Sequence, residues 1–226
     1  LDTNIISAIA VTGGKSSDLA DSYKDIPIIK INEIQAIGYG AKELYKIKDS
    51  SFIVVSCGTG TACVAYINNE FEHLGGISVG GGTLQGLSNI LTGISDPKKI
   101  DELALQGSKS NLDVSIGEVV NDIGSLHADV TASNFSKGRF NTNFKDADVE
   151  SSLSNMIGEV IGTISYLNAL LVGVKKIYFI GKVSLLDSVK DGIDKRLELA
   201  NIEGKYNDLR GFGNVIGAIA YLNANT

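Results

Sequence analysis

Three consecutive glycines at positions 80–82, in the stretch "HLGGISVGGGTLQGL", are the feature that most constrains this 226-residue chain. They stand directly before an apolar pattern of helical spacing, so they lead into the first turn of a helix. The N–H groups of that turn have no partners inside the helix, and backbone without side chains lets an anion approach them closely. The sequence therefore predicts a phosphate-binding turn here, with tight strand-to-helix packing as the alternative.

A second glycine loop is "GTGT", residues 58–61, between the apolar runs "SFIVVSC" and "TACVAYI", which predict two strands. Taken alone, this loop predicts an ordinary hairpin turn, because glycine-containing turns are common between strands. A third predicted strand, "EFEHLGG", follows through the turn "INNE", so the two glycine loops flank a short strand meander. Loops in that arrangement can face each other across a cleft, and this favours phosphate binding.

Glu33 follows a predicted strand and opens a predicted helix in "IKINEIQAIGYG". One explanation is capping: Asn32 suits the N-cap, Gln35 completes a variant of the capping box, and an acid in the first turn is stabilised by the helix dipole. An ionised carboxylate at the carboxyl end of a strand can also take a proton from a substrate hydroxyl, as phosphoryl transfer requires. Both explanations remain open at this point.

Two familiar motifs are only partly matched, and a third is matched without its structural context. "GGKSS" ends like a phosphate loop, yet Ile9 stands where that motif needs glycine. "GTGTAC" begins like a dinucleotide fingerprint, but Cys63 replaces its third glycine and a strand pattern follows. "GISVG" matches the serine-hydrolase elbow, with Ser78 as nucleophile and His127 downstream, but three further glycines separate it from the helix. The hydrolase interpretation is therefore not favoured.

Composition excludes several classes of protein. Apolar residues make up 43% of the chain and prolines number 2, which predicts a globular fold, and no apolar run approaches a membrane span. The net charge is −6 with scattered Lys and Arg, so a nucleic-acid partner is not expected. Cys57 and Cys63 lack metal-site spacing, and His73 and His127 form no ligand cluster, so no protein metal site is predicted. We expect both cysteines to be reduced core residues of a cytoplasmic protein.

The order of the predicted elements indicates a mixed α/β fold. Strands at 5–11 and 26–31 enclose a short helix near 16–23, and a helix at 33–47 precedes the meander. The later elements are helices at 83–91 and 98–106, a polar irregular segment at 107–145, a long helix at 149–171, the strand "KKIYFIG" and the helix "GNVIGAIAYL". This order predicts both parallel and antiparallel pairing. The apolar run at the start predicts a strand entered from upstream, so the N-terminus is expected to be incomplete.

Six strings, taken in order, resemble the type II pantothenate kinases of the fumble family, in the actin and sugar-kinase ATPase superfamily. They are "NEIQAIGYG", "VVSCGTGTA", "HLGGISVGGGTLQGLSNILTG", "DVTASNFSKG", "IYFIG" and "GFGNVIGAIAYL". "GGGTLQGL" and "TASNF" are fairly specific to the family. The resemblance implies a cytoplasmic homodimer that uses ATP and Mg²⁺ to convert pantothenate to 4′-phosphopantothenate in coenzyme A biosynthesis. It also implies two ribonuclease-H-like domains around a nucleotide cleft, residues 1–48 being the remainder of the first and residues 49–226 the second.

The resemblance also assigns roles to individual residues. It matches Glu33 to the catalytic base and His73 to the position of a substrate-binding arginine. The residues matched to ATP binding are Thr59, Gly60 and Thr61 in one phosphate loop, Gly81, Gly82, Thr83, Leu84 and Gln85 at the helix start, and Gly181 and Lys182 beside the adenosine.

Three departures from the family pattern bear on these assignments. The first phosphate loop of the family, an Asp-Gly-Gly-Thr-like hairpin, has no counterpart because the chain begins after it. His73 is shorter than arginine and largely uncharged at neutral pH, and Lys182 replaces a small residue. Two alternatives therefore stay open: a kinase of the same fold for another hydroxyl compound, and a non-catalytic nucleotide-binding sensor.

Overall fold

The protein is described here by a computed structural model that covers residues 5–121 and 127–225. Within these residues the strands form three sheets. The strands are β1 (Ile9–Val11), β2 (Ser22–Tyr23), β3 (Ile26–Lys30), β4 (Phe52–Cys57), β5 (Thr61–Ile67), β6 (Glu70–Ile77), β7 (Val114–Ser115), β8 (Thr131–Ser133), β9 (Lys176–Ile180) and β10 (Glu203–Tyr206). The helices are α1 (Glu33–Tyr45), α2 (Gly81–Thr92), α3 (Pro97–Ala104), α4 (Ile116–Val119), α5 (Asp146–Val172), α6 (Asp187–Leu199) and α7 (Gly213–Asn225).

The main sheet has five strands in the order β10-β9-β4-β5-β6. Strand β4 runs parallel to β9 and antiparallel to β5, so the predicted mixed pairing is confirmed. The β5–β6 hairpin turns through Asn68 and Asn69, which both have positive φ, as the turn "INNE" predicts. A smaller sheet has the order β1-β3-β2, and β7 pairs with β8.

Every residue of the central strand β4 is buried, with alternate side chains on opposite faces of the sheet. Ile53 and Val55 belong to one apolar core with residues of α5 and α6, including Ile157 and Ile193. Phe52 and Val54 belong to a second core with α1. The sheet is thus covered on both faces. The 58–61 loop follows the carboxyl end of β4 and lies at the edge of the sheet, between the two covering layers.

Helices α1 and α7 touch backbone to backbone through glycines. A Cβ added at Gly217 would overlap the carbonyl oxygen of Ala36, and one at Gly40 would overlap the carbonyl oxygen of Gly213. Because both close contacts require the absence of a side chain, the two helices are fixed in register. This contact sets the position of the first residues of both helices relative to each other.

The long helix α5 confirms the prediction at 149–171 and extends it by one residue at the C-terminus and three at the N-terminus. Gly173 follows it in the left-handed conformation that commonly ends helices. Among the described residues, α5 is the helix that is long and apolar enough, by length and composition, to cross a membrane. Of its most apolar 18-residue stretch, 50% is buried within the fold. The buried residues include Glu150 and Glu159, as expected of a core helix that contacts polar neighbours.

Several sequence predictions were wrong or incomplete. The strand predicted at 5–11 begins only at Ile9, and the segment 107–145, predicted to be irregular, contains β7, α4 and β8. Residues 16–23 form a 3-10 turn at Ser16–Asp18 and the short strand β2, not a helix, because none of the residues in this turn or strand is buried and no apolar face supports a helix. Helix α6 and strand β10 were not predicted. The signal in α6 is the spacing of Val189, Ile193 and Leu197, all buried, within an otherwise charged segment.

Candidate active site

The two glycine loops bond directly to each other. The N–H of Gly81 donates to the carbonyl of Gly58 at 2.8 Å, and the N–H of Gly82 donates to the carbonyl of Thr59 at 2.9 Å. A Cβ at Gly80 would lie 2.7 Å from the carbonyl oxygen of Thr59, so glycine is needed there for close approach. The prediction that the first turn of α2 leaves its N–H groups free was therefore wrong for Gly81 and Gly82, because tertiary contacts to the other loop satisfy them.

Other backbone donors of the paired loops remain available for a ligand. Within the part of the chain that the structure describes, the N–H groups of Thr59, Gly60 and Thr83 donate to no protein acceptor. Two of them belong to the 58–61 loop and one to the first turn of α2, so both loops contribute. Backbone donors near a helix N-terminus favour an anion such as phosphate.

Two predicted threonine ligands instead hold the loops together through their hydroxyls. Thr61 is buried, and its hydroxyl donates to the carbonyl of Val79 at 2.8 Å. The hydroxyl of Thr83 donates to the carbonyl of Ser78 at 2.9 Å. Their side chains therefore fix the shape of the loops, and the N–H of Thr83 is the atom of that residue left for a ligand.

A cavity of about 460 Å³ opens beside the paired loops. Its lining includes glycines of both loops and a set of apolar side chains. Of the predicted nucleotide residues, it brings together Thr59, Gly81, Gly82, Leu84, Gln85, Gly181 and Lys182; the apolar residues include Pro97, Val183, Leu186, Phe212 and Val215. Lys182, which is exposed, is the charged residue among those lining it.

The loop after β9 is held in place by Arg210, which sequence reasoning did not select. The Arg210 guanidinium donates to the carbonyl of Ser184 through Nε at 3.2 Å and Nη2 at 3.0 Å, and the N–H of Gly181 donates to the Arg210 carbonyl at 2.9 Å. Gly181 has a φ of 92°, and a Cβ there would overlap backbone atoms of Cys57. Both observations explain why this wall of the cavity is closely packed against β4.

A second cavity, of about 540 Å³, is also lined by the 58–61 loop. It contains Glu33 and His73 together with Thr59, Gly60 and Thr61 of the loop, whereas the predicted residue Thr83 lines neither cavity. His73 lies on β6 opposite Val64 and is exposed. Among the residues that line this cavity, His73 carries the basic side chain and Glu33 the carboxylate.

The Glu33 carboxylate is not used in capping α1. The side chain of Asn32 accepts the N–H of Ile34 at 2.8 Å, so Asn32 is the N-cap, as predicted. Gln35 does not return a side-chain bond to Asn32, so the capping box is not formed. Within the described residues, the exposed Glu33 carboxylate makes no hydrogen bond or ion pair. It remains available to a ligand in the second cavity, close to the positive end of the helix dipole.

Four residues line both cavities: Ser56, Gly58, Thr59 and Asn214. The cavities are therefore neighbours that share a wall formed by these four residues. Ser56 and Asn214 were not selected from the sequence. Asn214 lies 155 positions beyond Thr59, and no local motif links it to the loop.

Neither Ser78 nor the two cysteines have the surroundings of a nucleophile. Cys57 and Cys63 are free and buried, as predicted. Burial raises the pKa of the Cys63 thiol to about 11 and the pKa of the Cys57 thiol still further, so both stay protonated. Within the described part of the chain, no histidine hydrogen-bonds Ser78, so the serine-hydrolase arrangement is not formed.

Comparison with known sequences gives a consistent family signal. The Fumble family model matches residues 39–186. A type II pantothenate kinase of Bacillus cereus (strain AH820) is 31% identical over 235 residues, which cover 96% of this chain and 81% of that protein. Pantothenate kinase 2 of Arabidopsis thaliana is 31% identical over 206 residues, covering 76% of this chain and 23% of the plant protein.

Comparison with solved structures shows the fold. The activator of the 2-hydroxyisocaproyl-CoA dehydratase from Clostridium difficile, with bound ADPNP, aligns with a TM-score of 0.66 at 15% identity, covering 100% of this chain and 76% of that one. The ROK hexokinase from Thermus thermophilus aligns with a TM-score of 0.57 at 10% identity, covering 88% and 68% of the two chains. The chain therefore has the α/β fold shared by these activators and sugar kinases.

Proposed function

The chain belongs to the Fumble family, and from this membership we propose that it is an ATP-dependent small-molecule kinase with pantothenate as its acceptor. The product is 4′-phosphopantothenate, and the reaction is the first step of coenzyme A biosynthesis. The observation that carries the proposal is the pair of cavities that share the Gly58 and Thr59 wall, one lined by the glycine loops and the other by Glu33.

In this proposal ATP occupies the cavity of about 460 Å³. Its adenosine would lie against the apolar side chains, near Phe212 and Leu186, because these can cover an aromatic base. Its phosphates would extend to the paired loops, where the N–H groups of Thr59, Gly60 and Thr83 are free to donate. Lys182 lies on the same cavity and contributes positive charge.

Pantothenate would occupy the second cavity, with its hydroxyl toward Glu33 and its carboxylate free to meet His73. In the transfer, the acceptor oxygen bonds to the γ-phosphorus as its proton passes to the Glu33 carboxylate. The bond between the γ-phosphorus and the bridging oxygen of ADP breaks, and ADP leaves with those electrons. The contribution of the protein is to hold the two reactants across the shared wall.

Mg²⁺ is the metal that we propose with ATP. In the described ranges, no group of three or more His, Cys, Asp or Glu side chains could hold a metal ion. Mg²⁺ in kinase sites keeps several waters and is bound by one or two carboxylates together with the substrate phosphates. The residues lining the two cavities offer the single carboxylate of Glu33, so the ion would be held chiefly by ATP and would reduce the negative charge on its phosphates.

We further propose that the protein is a cytoplasmic homodimer without a nucleic-acid or membrane partner. Buried free thiols suit a reducing compartment. Helix α5 exposes a row of apolar side chains, Val160, Leu167, Leu170 and Leu171, and α2 exposes Ile90. Exposed apolar side chains of this kind suit contact with a second copy of the chain. The two-domain division at residue 48 is also a proposal, supported by the separate three-stranded and five-stranded sheets.

The function is tested by an ADP-release assay with pantothenate, pantetheine and glucose as acceptors, with the product identified by mass spectrometry. We expect turnover that depends on ATP and gives 4′-phosphopantothenate. Turnover with glucose but not with pantothenate would instead indicate a kinase for another hydroxyl compound. ATP binding without turnover of any acceptor would indicate a nucleotide sensor.

A further inference from the structure

Asn214 occupies a position on the shared wall that the fold itself does not use. It is the second residue of α7 and lines both cavities. Its Oδ1 is buried and has no hydrogen-bond partner among the described residues. Because buried polar atoms in native proteins are nearly always paired, an orphaned carboxamide requires an explanation. A contribution to stability does not explain the buried carboxamide, because the fold gains no hydrogen bond from this side chain.

The position of Asn214 is rigid. Its neighbour Gly213 packs against Ile180 of β9, where a Cβ would lie 2.7 Å from the Ile180 Cβ, and Gly217 packs against the backbone of Ala36. Helix α1, which begins at Glu33, is therefore held in register with the helix that carries Asn214. The carboxamide and the Glu33 carboxylate are thus presented by two elements that cannot shift independently.

The orientation of the carboxamide decides which atom can meet a ligand. The Oδ1 atom is buried, whereas Nδ2 is not among the buried unpaired atoms and makes no hydrogen bond within the described residues. The amide nitrogen is thus the end of the group that retains solvent access. It offers two N–H donors and no charge.

A group that is transferred from ATP to the acceptor must pass the shared wall, and Asn214 and Ser56 are the polar side chains on that wall besides Thr59. We propose that Asn214 is a catalytic residue that donates its Nδ2 hydrogens to the γ-phosphoryl group during transfer. A neutral donor held in place beforehand stabilises charge in the transition state without reorganising. This inference rests on the proposed kinase function and adds a residue to its site.

The test compares Asn214→Ala and Asn214→Asp with Asn223→Ala and Asn223→Asp. Asn223 is an exposed asparagine on the same helix and lines neither cavity, so it controls for the chemical change. For each variant, kcat, KM for pantothenate, the Kd of an ATP analogue and the Tm are measured. For Asn214→Ala we expect kcat to fall by about 100-fold, in the range seen when one such donor is removed, with KM and Kd changed much less.

Asn214→Asp should lose more activity than Asn214→Ala, because a carboxylate would repel the phosphoryl group. The Tm of Asn214→Ala should equal or exceed that of the wild type, since an unpaired buried acceptor is removed. Wild-type kcat in Asn214→Ala, or an equal loss in Asn223→Ala, would overturn the inference. If Asn214→Ala does not fold, an Asn214→Asp enzyme that folds and keeps wild-type kcat would overturn it instead. Failure of the proposed function would show as an inactive wild type, and the inference would then fail with it. Failure of the inference alone would show in the variants, with an active wild type.

Discussion

The N–H of Gly81 donates to the carbonyl of Gly58 at 2.8 Å, so the two glycine loops are a single hydrogen-bonded unit. A cleft between separate loops was expected from the sequence, and the structure has instead one paired turn that lines two neighbouring cavities. The pairing leaves free the N–H groups of Thr59, Gly60 and Thr83. The sequence presented phosphate binding and tight packing as alternatives. The structure shows the packing, made by the N–H groups of Gly81 and Gly82, and phosphate binding by the free donors remains a proposal.

Replacing Glu33 with Gln should remove the proton acceptor and leave the fold intact. Because general-base catalysis contributes about 10²- to 10⁴-fold, kcat should fall within that range. The Kd of an ATP analogue and the Tm should stay near their wild-type values, since Asn32 caps α1. Glu43→Gln, on an exposed part of the same helix, is the matched control. Full activity in Glu33→Gln, or loss of its folded state, would contradict the assigned role.

Removing the charge of Lys182 should weaken ATP binding. The side chain is exposed, so its attraction to the phosphates is screened, and Lys182→Met should raise the Kd for ATP by about two- to fivefold. The effect should shrink as salt is added. Isothermal titration at two ionic strengths measures the change in Kd and its dependence on salt. Lys48→Met is the control, because Lys48 is an exposed lysine outside both cavities. An unchanged Kd would place the phosphates away from Lys182.

Two glycine-to-alanine substitutions should have effects of opposite sign on stability. Gly217→Ala forces a Cβ into the carbonyl of Ala36, and overpacking of this kind costs about 1–3 kcal/mol or more. Gly86, in α2, has no heavy atom within 4 Å of an added Cβ, so Gly86→Ala should stabilise the protein by about 0.5–1 kcal/mol. Urea denaturation measures both free energies of unfolding. A Gly217→Ala variant as stable as the wild type would show that α1 and α7 are not in close contact.

The buried thiols should be unreactive in the folded protein. An exposed cysteine has a pKa of about 8.5, whereas burial raises the pKa of Cys63 to about 11 and that of Cys57 further. At pH 8 the reactive thiolate is therefore suppressed as well as shielded. We expect iodoacetamide to modify neither residue in native protein at pH 8 and both in urea, as measured by mass spectrometry. Rapid labelling of native protein would contradict the burial of β4 and β5.

The exposed apolar row on α5 should be covered by a second copy of the chain. Leu171 is 78% exposed, and Leu171→Glu should convert a dimer to a monomer in analytical ultracentrifugation. Leu199→Glu changes another exposed leucine, on α6, and serves as the control. A wild type that sediments as a monomer would rule out this interface.

Features set by local sequence were predictable, and features set by tertiary contact were not. The spacing of apolar residues predicted α5, and the Asn68–Asn69 turn predicted the β5–β6 hairpin. By contrast, α6 has a charged composition that obscures the spacing of its buried Val189, Ile193 and Leu197. The bonds from Gly81 and Gly82 to the other loop were missed because both partners look like free turn residues in the sequence. Asn214 was missed because it reaches the site only through the packing of α7 on α1.

The central claim is that ATP and the acceptor meet across the wall formed by Gly58, Thr59 and Asn214. A crystal structure with a non-hydrolysable ATP analogue and pantothenate tests it most directly. The account predicts the γ-phosphate beside the N–H groups of Thr59 and Gly60, with the pantothenate hydroxyl in hydrogen-bond contact with the Glu33 carboxylate. A nucleotide bound away from the paired loops, or a hydroxyl out of reach of Glu33, would contradict it.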